Sequence, residues 1–222
     1  MFVGGRSYIS EEFEAELVTP EQMDELLERG WRHFGTKFYR YNFGFYGLDI
    51  RVVIPLRIRL ADFSLSKSQR RTLKRNADLR TVIRPAAVTD ESERLFERHK
   101  ARFDHSVPES IYDFLSRQPA TSPVEACELA VYESEQLVAV SYFDVSARSV
   151  SGQYAIFEPA ECRRGLGIFT MLKEIEYAAD HTKEFYYQGY SYEGNSFYDY
   201  KKRFRGTEGL DWGRGWETLG TA

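Results

Sequence analysis

The sequence predicts an α/β (α+β) fold in which a mixed, mostly antiparallel sheet is flanked by helices. Three closely spaced strand patterns, at 127–133, 136–145 and 150–157, are joined by polar turns and predict an antiparallel meander. A glycine-containing loop at 159–167 follows the meander and leads into a helical stripe. The chain has 222 residues, of which 42% are hydrophobic, so it can bury a substantial core.

Helices and further strands are predicted on both sides of this meander. A capping pattern at residues 19–22 starts a helix that ends near Gly30, and aromatic or β-branched residues predict strands at 36–43 and 50–60. The other predicted elements are helices at 66–76, 90–104, 109–117 (after a capping box that begins at Ser106), 169–179 and 196–204, and a strand at 185–189. A seam at 118–124 is expected to divide an N-terminal region, 1–118, packed on the sheet, from a core, 119–222, within one compact unit.

The composition argues against several classes of protein. Only Cys127 and Cys162 are present, too few for a disulfide framework or a four-cysteine zinc site, so no bound metal is expected. The four histidines are scattered without metal or triad spacing and are expected to be structural. No stretch approaches the roughly 18 apolar residues of a membrane span, and no secretory signal is recognisable. A cytoplasmic protein without membrane contact is therefore expected.

Charge is distributed unevenly along the chain, although the net charge is only -4. Residues 11–28 contain eight acidic side chains and no basic one, whereas residues 32–84 contain thirteen lysines and arginines against three aspartates. A local field of this strength can hold a polyanion despite the overall negative charge.

The turn from Cys162 to Gly167 is the clearest local motif. Two glycines allow backbone N–H groups to converge, and the following helix N-terminus favours negative charge, so the turn suits a phosphate or pyrophosphate. A plain strand-to-helix turn is the alternative. The motif resembles the R/Q-x-x-G-x-G/A loop of GNAT acyltransferases, with Cys162 in place of the first Arg or Gln. The surrounding order of strands and helices is also similar to the GNAT fold.

The second motif is a basic segment in the predicted helix at 66–76. Five basic residues alternate with hydroxyl and amide side chains, an arrangement that can contact consecutive phosphates. A solvated helix face is the alternative. The residues assigned to phosphate binding are Ser66, Ser68, Gln69, Arg70, Arg71, Lys74, Arg75 and Asn76.

The order of these and later motifs resembles the arginyl-tRNA–protein transferase family, which includes the bacterial aspartate/glutamate leucyltransferases. The matching stretches are Phe63–Leu79, Asp144, Tyr154–Pro159, Arg164–Gly167, Tyr187–Tyr190 and Tyr200–Phe204, within about residues 39–212. Two features depart from the family pattern. The clustered cysteines of the family's N-terminal part are missing, since Asn42, Phe45 and Leu48 lie roughly where they would fall. Gly165 also replaces a serine, which brings the turn closer to an acyl-CoA loop.

The resemblance implies an enzyme that transfers an amino acid from charged tRNA to the N-terminal amine of a protein with an acidic first residue. No cofactor is expected besides this co-substrate. Two alternatives stay open: an acyl-CoA-dependent N-acyltransferase of the GNAT class, and a non-catalytic tRNA- or degron-binding module. Because the donor ester is already activated, the enzyme needs to align the reactants, stabilise the oxyanion and remove a proton.

Site residues follow from this hypothesis. The oxyanion is assigned to backbone N–H groups around Ile156–Glu158. The catalytic candidates are Asp144, Glu158 and Tyr198, with Asp144 or Glu158 as the proton acceptor. The donor-binding candidates are Arg164, Gly165, Leu166, Gly167, Tyr154, Tyr187 and Tyr190. The acceptor-binding candidates are Lys201 and Arg203. Cys162 is a further, weaker candidate as a nucleophile beside two arginines.

Overall fold

The computed structural model describes residues 2–3, 6–103 and 107–219. Its helices and strands, in chain order, are β1 (Phe2–Val3), β2 (Arg6–Ser7), β3 (Ser10–Glu14), α1 (Pro20–Glu28), β4 (Arg32–Phe34), β5 (Lys37–Tyr41), β6 (Phe43–Tyr46), β7 (Asp49–Arg59), α2 (Lys67–Arg75), β8 (Arg80–Pro85), α3 (Asp90–Lys100), β9 (Ala126–Glu133), β10 (Gln136–Val145), β11 (Ser149–Phe157), α4 (Leu166–Asp180), β12 (Phe185–Tyr192), α5 (Asp199–Lys202), β13 (Thr207–Asp211) and β14 (Gly215–Thr218).

Within the described ranges, one large sheet of nine strands organises the molecule. Its order is β14-β13-β7-β12-β11-β10-β9-β8, and β6 pairs with the beginning of β7. The strands pair antiparallel except β11 and β12, which are parallel. β7 and β8 precede residue 118 and belong to this sheet. The chain segments on the two sides of the predicted seam therefore contribute strands to the same sheet.

Helices cover both faces of the sheet because its buried strands are apolar on both sides. On β9 and β10, Leu129 and Phe143 face the cluster formed with α4 and α2, whereas Ala130 and Tyr142 face the cluster that contains α3. Helix α1 packs on the α3 side through Met23, against β12. The site described below lies where this covered sheet opens between β11 and β12.

The predicted fold class is confirmed. The meander of β9, β10 and β11 closely matches the predicted strands, and α2 and α4 lie where helices were predicted. The order of β11, glycine turn, α4 and parallel β12 is that of the GNAT fold. No helix in the described ranges is both long and apolar enough to cross a membrane.

Three predicted helices are wrong in extent. The helix at 109–117 is only a 3₁₀ turn, Ile111–Asp113, because the Asp113 carboxylate accepts from the N–H groups of Glu109 and Ser110 and closes the chain locally. The helix at 196–204 shortens to α5, and α3 ends at Lys100. Ser106, where the predicted capping box begins, lies outside the described residues.

Candidate active site

A cavity of about 790 Å³ opens where β11 and β12 separate. The two strands pair only through residues 149–151 and 185–187, and they diverge beyond this point. The cavity is lined by β11 from Gly152 to Phe157, by the first half of α4, by residues 197–201 and by the end of α3. A reactant can therefore contact the open edge of a strand and a helix N-terminus together.

The predicted glycine turn forms one rim of this cavity. A 3₁₀ helix, Pro159–Arg164, leads to Gly165, whose φ of 68° lies in the left-handed region that favours glycine. Helix α4 begins at Leu166 without a side-chain cap, so its first N–H groups remain available to an anion. Gly165, Leu166 and Gly167 all line the cavity.

Helix α2 lies directly beside this turn. The Asn76 side-chain amide donates to the carbonyl oxygen of Arg164 at 3.0 Å, and the Arg75 guanidinium donates to the carbonyl oxygen of Arg163. The Arg164 guanidinium forms two 3.0 Å bonds to Asp78 and further bonds to Glu133 and Glu161. Arg164 thus joins the turn to the end of α2, and its charge is already compensated. The two motifs predicted separately from the sequence form one continuous surface.

The residues assigned to α2 divide into an exposed group and a structural group. Ser66 and Gln69 form the capping box of the helix, and Asn76 is buried at its C-terminus. The exposed members are Ser68, Arg70, Arg71, Lys74 and Arg75, and Lys67, which was not assigned, is exposed beside them. Across the described part of the chain, none of these five cations forms an ion pair. Their charge is therefore available to a polyanion.

The floor of the cavity holds a buried acid that the sequence analysis did not select. Glu174 on α4 is 3% exposed, and its carboxylate accepts a 2.5 Å hydrogen bond from the Tyr186 hydroxyl. Burial raises the pKa of Glu174 to about 7, despite the opposing hydrogen bond from Tyr186. A carboxyl group with this pKa can exchange a proton near neutral pH.

Two cations lie close together near Gly152; Lys201 lines the cavity, and Arg32 lies behind its lining. Arg32 is buried, and its guanidinium donates to Ser151 Oγ and to the Gly152 carbonyl oxygen. A Cβ placed on Gly189 would lie 3.4 Å from Lys201 Nζ and 3.9 Å from Arg32 Nη2, so both cations border the space that this glycine leaves open. Burial, and then the nearby Arg32 charge, lower the pKa of Lys201 to about 7. Neither cation forms an ion pair with a carboxylate of the described residues.

Other predicted residues are distributed more widely. Tyr154 and Tyr198 line the cavity. Tyr187 lies on the opposite face of the sheet, where its hydroxyl accepts from Arg57, because adjacent strand residues point to opposite sides. Tyr190 donates to the Gly30 carbonyl oxygen at 2.6 Å, and Arg203 is exposed outside the cavity lining. The structure therefore does not bring these last three to the site.

Both predicted proton acceptors lie outside the cavity lining. The Asp144 carboxylate is buried and accepts hydrogen bonds from His33 Nε2 at 3.0 Å and from the Gln153 amide. Glu158 caps the 3₁₀ helix and pairs with Arg98 at 2.7 Å. These partners occupy both carboxylates, and Glu174 is the carboxylate that faces the cavity.

The oxyanion assignment around Ile156–Glu158 is also corrected. The Glu158 N–H donates to Val138 in β10, and the Phe157 N–H donates to His99 Nδ1 at 3.1 Å. Because antiparallel pairing alternates, the Ile156 N–H points to β10, whereas the Ala155 N–H points away from it and into the cavity. Among the described residues, the Ala155 amide has no side-chain partner.

The remaining titratable side chains are placed as follows. Burial lowers the pKa of His99 to about 4, so this cavity-lining imidazole is neutral at pH 7. Cys162 is exposed on the rim. His105 lies outside the described residues. Across residues 2–3, 6–103 and 107–219, no three His, Cys, Asp or Glu side chains are close enough to hold a metal ion.

Of the cavity residues that were not predicted from the sequence, Glu174 could have been found there and Arg32 could not. Glu174 interrupts an otherwise apolar face of α4, between Met171 and Ala178, where an acid is costly unless it has a role. Arg32 left none, because its place at the cavity depends on the pairing of β4 with β5 and the packing of this sheet on β11.

The order of strands, glycine turn and helix around the cavity is that of the GNAT-like fold. The family model described as arginine-tRNA-protein transferase, C terminus, matches residues 91–211, and the model of its N terminus matches residues 4–71. The chain belongs to the arginine-tRNA–protein transferase family. It is an enzyme that transfers an amino acid from aminoacyl-tRNA to protein.

Individual relatives agree with this assignment. The chain is 31% identical to the aspartate/glutamate leucyltransferase of Stenotrophomonas maltophilia (strain K279a) over 198 residues, which cover 86% of this chain and 77% of that protein. It is also 31% identical to the aspartate/glutamate leucyltransferase of Shewanella putrefaciens over 225 residues, which cover 95% of this chain and 91% of that protein.

Solved structures show more distant likeness. L-PGS from Bacillus licheniformis has a TM-score of 0.46 at 13% identity, with 82% of this chain and 54% of that chain covered. A tandem GNAT protein from the clavulanic acid biosynthesis pathway has a TM-score of 0.46 at 11% identity, with 91% of this chain and 62% of that chain covered.

Proposed function

We propose that the protein transfers leucine from leucyl-tRNA to the N-terminal amine of proteins whose first residue is Asp or Glu, and that it does so in the cytoplasm without a further cofactor. The names of the two relatives support the choice of amino acid and acceptor. The observation that carries the proposal is the junction of the unpaired basic helix α2 with the glycine turn at the rim of the cavity.

The donor tRNA lies along α2, with its terminal phosphates at the glycine turn. The exposed cations of α2 neutralise backbone phosphates, and the free N–H groups at Leu166 and Gly167 bind the phosphate nearest the 3′ end. Arg164 contributes by holding the turn against Asp78 rather than by contacting phosphate. The ester carbonyl then enters the cavity beside β11, where the Ala155 N–H can stabilise the tetrahedral oxyanion.

The acceptor enters with its acidic side chain between Lys201 and Arg32. Two desolvated cations without carboxylate partners form a site for one carboxylate, since a charge-assisted pair compensates for their burial. Lys201 is therefore proposed to bind the acceptor, as in the sequence-based prediction. Arg32 is proposed as the second acceptor-binding cation in place of Arg203. Tyr198, with its ring 5.2 Å from Lys201 Nζ, closes this end of the cavity.

Glu174 is proposed as the proton acceptor. The α-ammonium of the acceptor loses one proton to water, since an α-amine titrates near 8, and the neutral nitrogen attacks the ester carbonyl carbon. As the C–N bond of the tetrahedral intermediate forms, the Glu174 carboxylate accepts a second proton from this nitrogen. The C–O bond to the ribose then breaks, and Glu174 returns that proton to the ribose oxygen. The hydrogen bond from Tyr186 fixes the carboxylate for both steps.

The test is a transfer assay with radiolabelled donors. Leucyl-tRNA should be consumed with a peptide that begins with Asp or Glu, and the label should appear on the peptide. The same peptide with an N-terminal Ala is the acceptor control, and arginyl-tRNA and acetyl-CoA are the donor controls. Transfer from acetyl-CoA but from no charged tRNA would identify an acyl-CoA enzyme. Binding of tRNA without any transfer would identify a non-catalytic module.

A further inference from the structure

Gln188 on β12 is a buried amide in the wall of the cavity. Its side chain is 4% exposed and lines the cavity. The pairing of β12 with β7 passes from Tyr187 directly to Gly189, so Gln188 is the extra residue of a β-bulge. Bulges occur beside active sites, where they change the direction of a side chain. The bulge thus places a polar side chain in the cavity wall.

The two ends of the Gln188 amide have different surroundings. The Thr207 hydroxyl donates its proton to the Phe204 carbonyl oxygen at 2.7 Å, so towards Gln188, 3.5 Å away, it can only accept. The amide nitrogen therefore faces Thr207, which does not line the cavity. Among the described residues, the buried Gln188 Oε1 has no hydrogen-bond partner. Because an unpaired buried carbonyl oxygen is costly, it indicates a ligand that supplies the donor.

We propose that Gln188 Oε1 accepts a hydrogen bond from the N-terminal amine of the acceptor and orients the nitrogen that attacks the ester. The inference rests on the proposed function and adds a residue that contacts the reacting atom. A neutral primary amine has two N–H groups and one lone pair. The Glu174 carboxylate accepts from one N–H and Gln188 Oε1 from the other, which leaves the lone pair directed at the ester carbonyl carbon.

The neighbours of Gln188 support this position. Tyr186, two residues earlier on β12, bonds the Glu174 carboxylate, and Gly189, the next residue, borders the two acceptor-binding cations. In an acidic N-terminal residue, only a few covalent bonds separate the side-chain carboxylate from the α-amine. An acceptor whose carboxylate is bound by the cations therefore presents its amine to the part of β12 that lies between these cations and the proton acceptor.

The charges beside Gln188 favour the acceptor amine over the amino group of the donor. The α-ammonium of the leucyl group would place a further positive charge close to Lys201 and Arg32, which repel it. A neutral amine carries no such charge, and nearby cations favour the neutral form of an amine. The attacking amine is therefore the hydrogen-bond donor that suits this oxygen.

The first measurement uses Gln188→Met, which removes the oxygen and keeps a long unbranched side chain. We expect kcat for an Asp-initiated peptide to fall roughly 10–100-fold and KM to stay within about twofold, because the contacts to the carboxylate remain. Ser191→Ala is the matched control. Ser191 is a buried residue of β12 whose hydroxyl has no partner in the described part of the chain, and it does not line the cavity. Its kcat should stay within about twofold, and urea unfolding should show neither variant to be less stable than the unchanged protein, since each loses an unpaired buried atom.

The second measurement changes the acceptor instead. An N-methyl-Asp peptide has a single N–H in its neutral amine, so it cannot bond Glu174 and Gln188 together. The unchanged protein should modify this peptide at least about tenfold more slowly than the Asp peptide. Gln188→Met should modify it within about twofold of the rate of the unchanged protein, because the hydrogen bond is already missing.

Four results would overturn the inference. Equal rates for the two peptides with the unchanged protein exclude a role for the second N–H, without the need for any variant. Equal losses for both peptides in Gln188→Met, or a loss of stability in that variant with no change in the ratio of the two rates, make Gln188 a structural residue. If Gln188→Met instead loses the preference for leucyl-tRNA over N-acetyl-leucyl-tRNA, the oxygen binds the donor. In each of these cases the proposed function stands. If the unchanged protein modifies neither peptide from leucyl-tRNA, the proposed function itself has failed, and this inference falls with it.

Discussion

The helix α2 and the floor of the cavity both present cations without carboxylate partners, but they do so in opposite environments. On α2 the side chains of Arg70, Arg71 and Lys74 are exposed. At the cavity floor Arg32 is buried and Lys201 is half-buried, and desolvation lowers the pKa of Lys201 to about 7. Exposed charges act over long distances and are screened by salt, whereas buried charges act at short range and resist screening. The two regions should therefore respond differently to mutation, salt and pH.

The largest effect is expected at the cavity wall. Ala155→Pro removes the N–H that points into the cavity and leaves the β10 ladder intact, since that N–H is not part of it. We expect kcat to fall by about 10²–10³-fold, as for the loss of one oxyanion donor. Ala155→Gly keeps the N–H and is the matched control. A Pro variant that folds and keeps the kcat of the Gly variant would show that the oxyanion lies elsewhere.

The second prediction compares the half-buried cation Lys201 with the exposed cation Arg203 on the same segment. Lys201→Met should lower kcat/KM for an Asp-initiated peptide by about 10–100-fold, because a charge-assisted hydrogen bond is lost, and should affect an Ala-initiated peptide much less. Arg203→Met removes an exposed charge two residues away and should change neither value appreciably. Steady-state kinetics with the two peptides check this. Equal losses for both peptides in Lys201→Met would argue against carboxylate binding.

The third prediction concerns α2 and salt. Arg70→Ala/Arg71→Ala should weaken tRNA binding about tenfold at low salt and flatten the log–log salt dependence by about one to two, because roughly 0.7–0.9 of a counterion is released per phosphate. Arg94→Ala/Arg117→Ala changes the net charge equally at two exposed residues outside α2, and it should leave the slope unchanged. Fluorescence anisotropy at several salt concentrations measures both. An unchanged slope in the α2 variant contradicts the donor path.

The fourth prediction is a pH dependence of stability that only the cavity should show. The folded pKa of Glu174 is raised from 4.5 to about 7, so between these values the folded chain binds more protons and the free energy of unfolding falls as the pH rises. The folded pKa of Lys201 is lowered from 10.5 to about 7, so the free energy of unfolding rises with pH across that window. The lowered pKa of His99 opposes the Glu174 effect below about pH 6.5, because the folded chain binds fewer protons at His99 there. In urea unfolding, Glu174→Gln should therefore make the free energy of unfolding rise more steeply with pH below 7, and Lys201→Met should remove the rise between about pH 7 and 10.5. Unchanged pH profiles in both variants would mean that other groups cause the dependence.

The smallest effect is expected at the rim. Cys162→Ser should keep kcat/KM within about twofold, because the amine attacks the ester directly and no covalent intermediate on the protein is needed. Cys127→Ser serves as the control for thiol loss, since that residue is half-buried away from the cavity. A loss of several orders of magnitude in Cys162→Ser alone would instead indicate a covalent acyl-enzyme.

Elements and site residues that have a local sequence signal could be predicted, whereas those defined by distant contacts could not. The β9–β11 meander and α2 carry local signals, namely alternation and a capping box, and both were found. The strands β3, β4, β8, β13 and β14 were not predicted, because short or charged strands are defined by their partners rather than by their own pattern. In the same way, the turn Gly165–Gly167 is recognisable from a local sequence motif. The cluster of Arg32, Glu174 and Lys201 could not be recognised in this way, because it depends on contacts between distant segments.

The position of β7 has a consequence for how the chain is made. Only its first residues, 49–52, pair with a neighbour that precedes them, in β6. The rest of β7 pairs with β12 and β13, as in Arg59 with Phe185 and Ile58 with Thr207, and these strands leave the ribosome late. Until then, a strand with buried Val53, Leu56 and Ile58 has two open edges. An interior strand of the finished sheet thus stays without most of its partners until β12 and β13 have been synthesised, and it needs protection from aggregation until then.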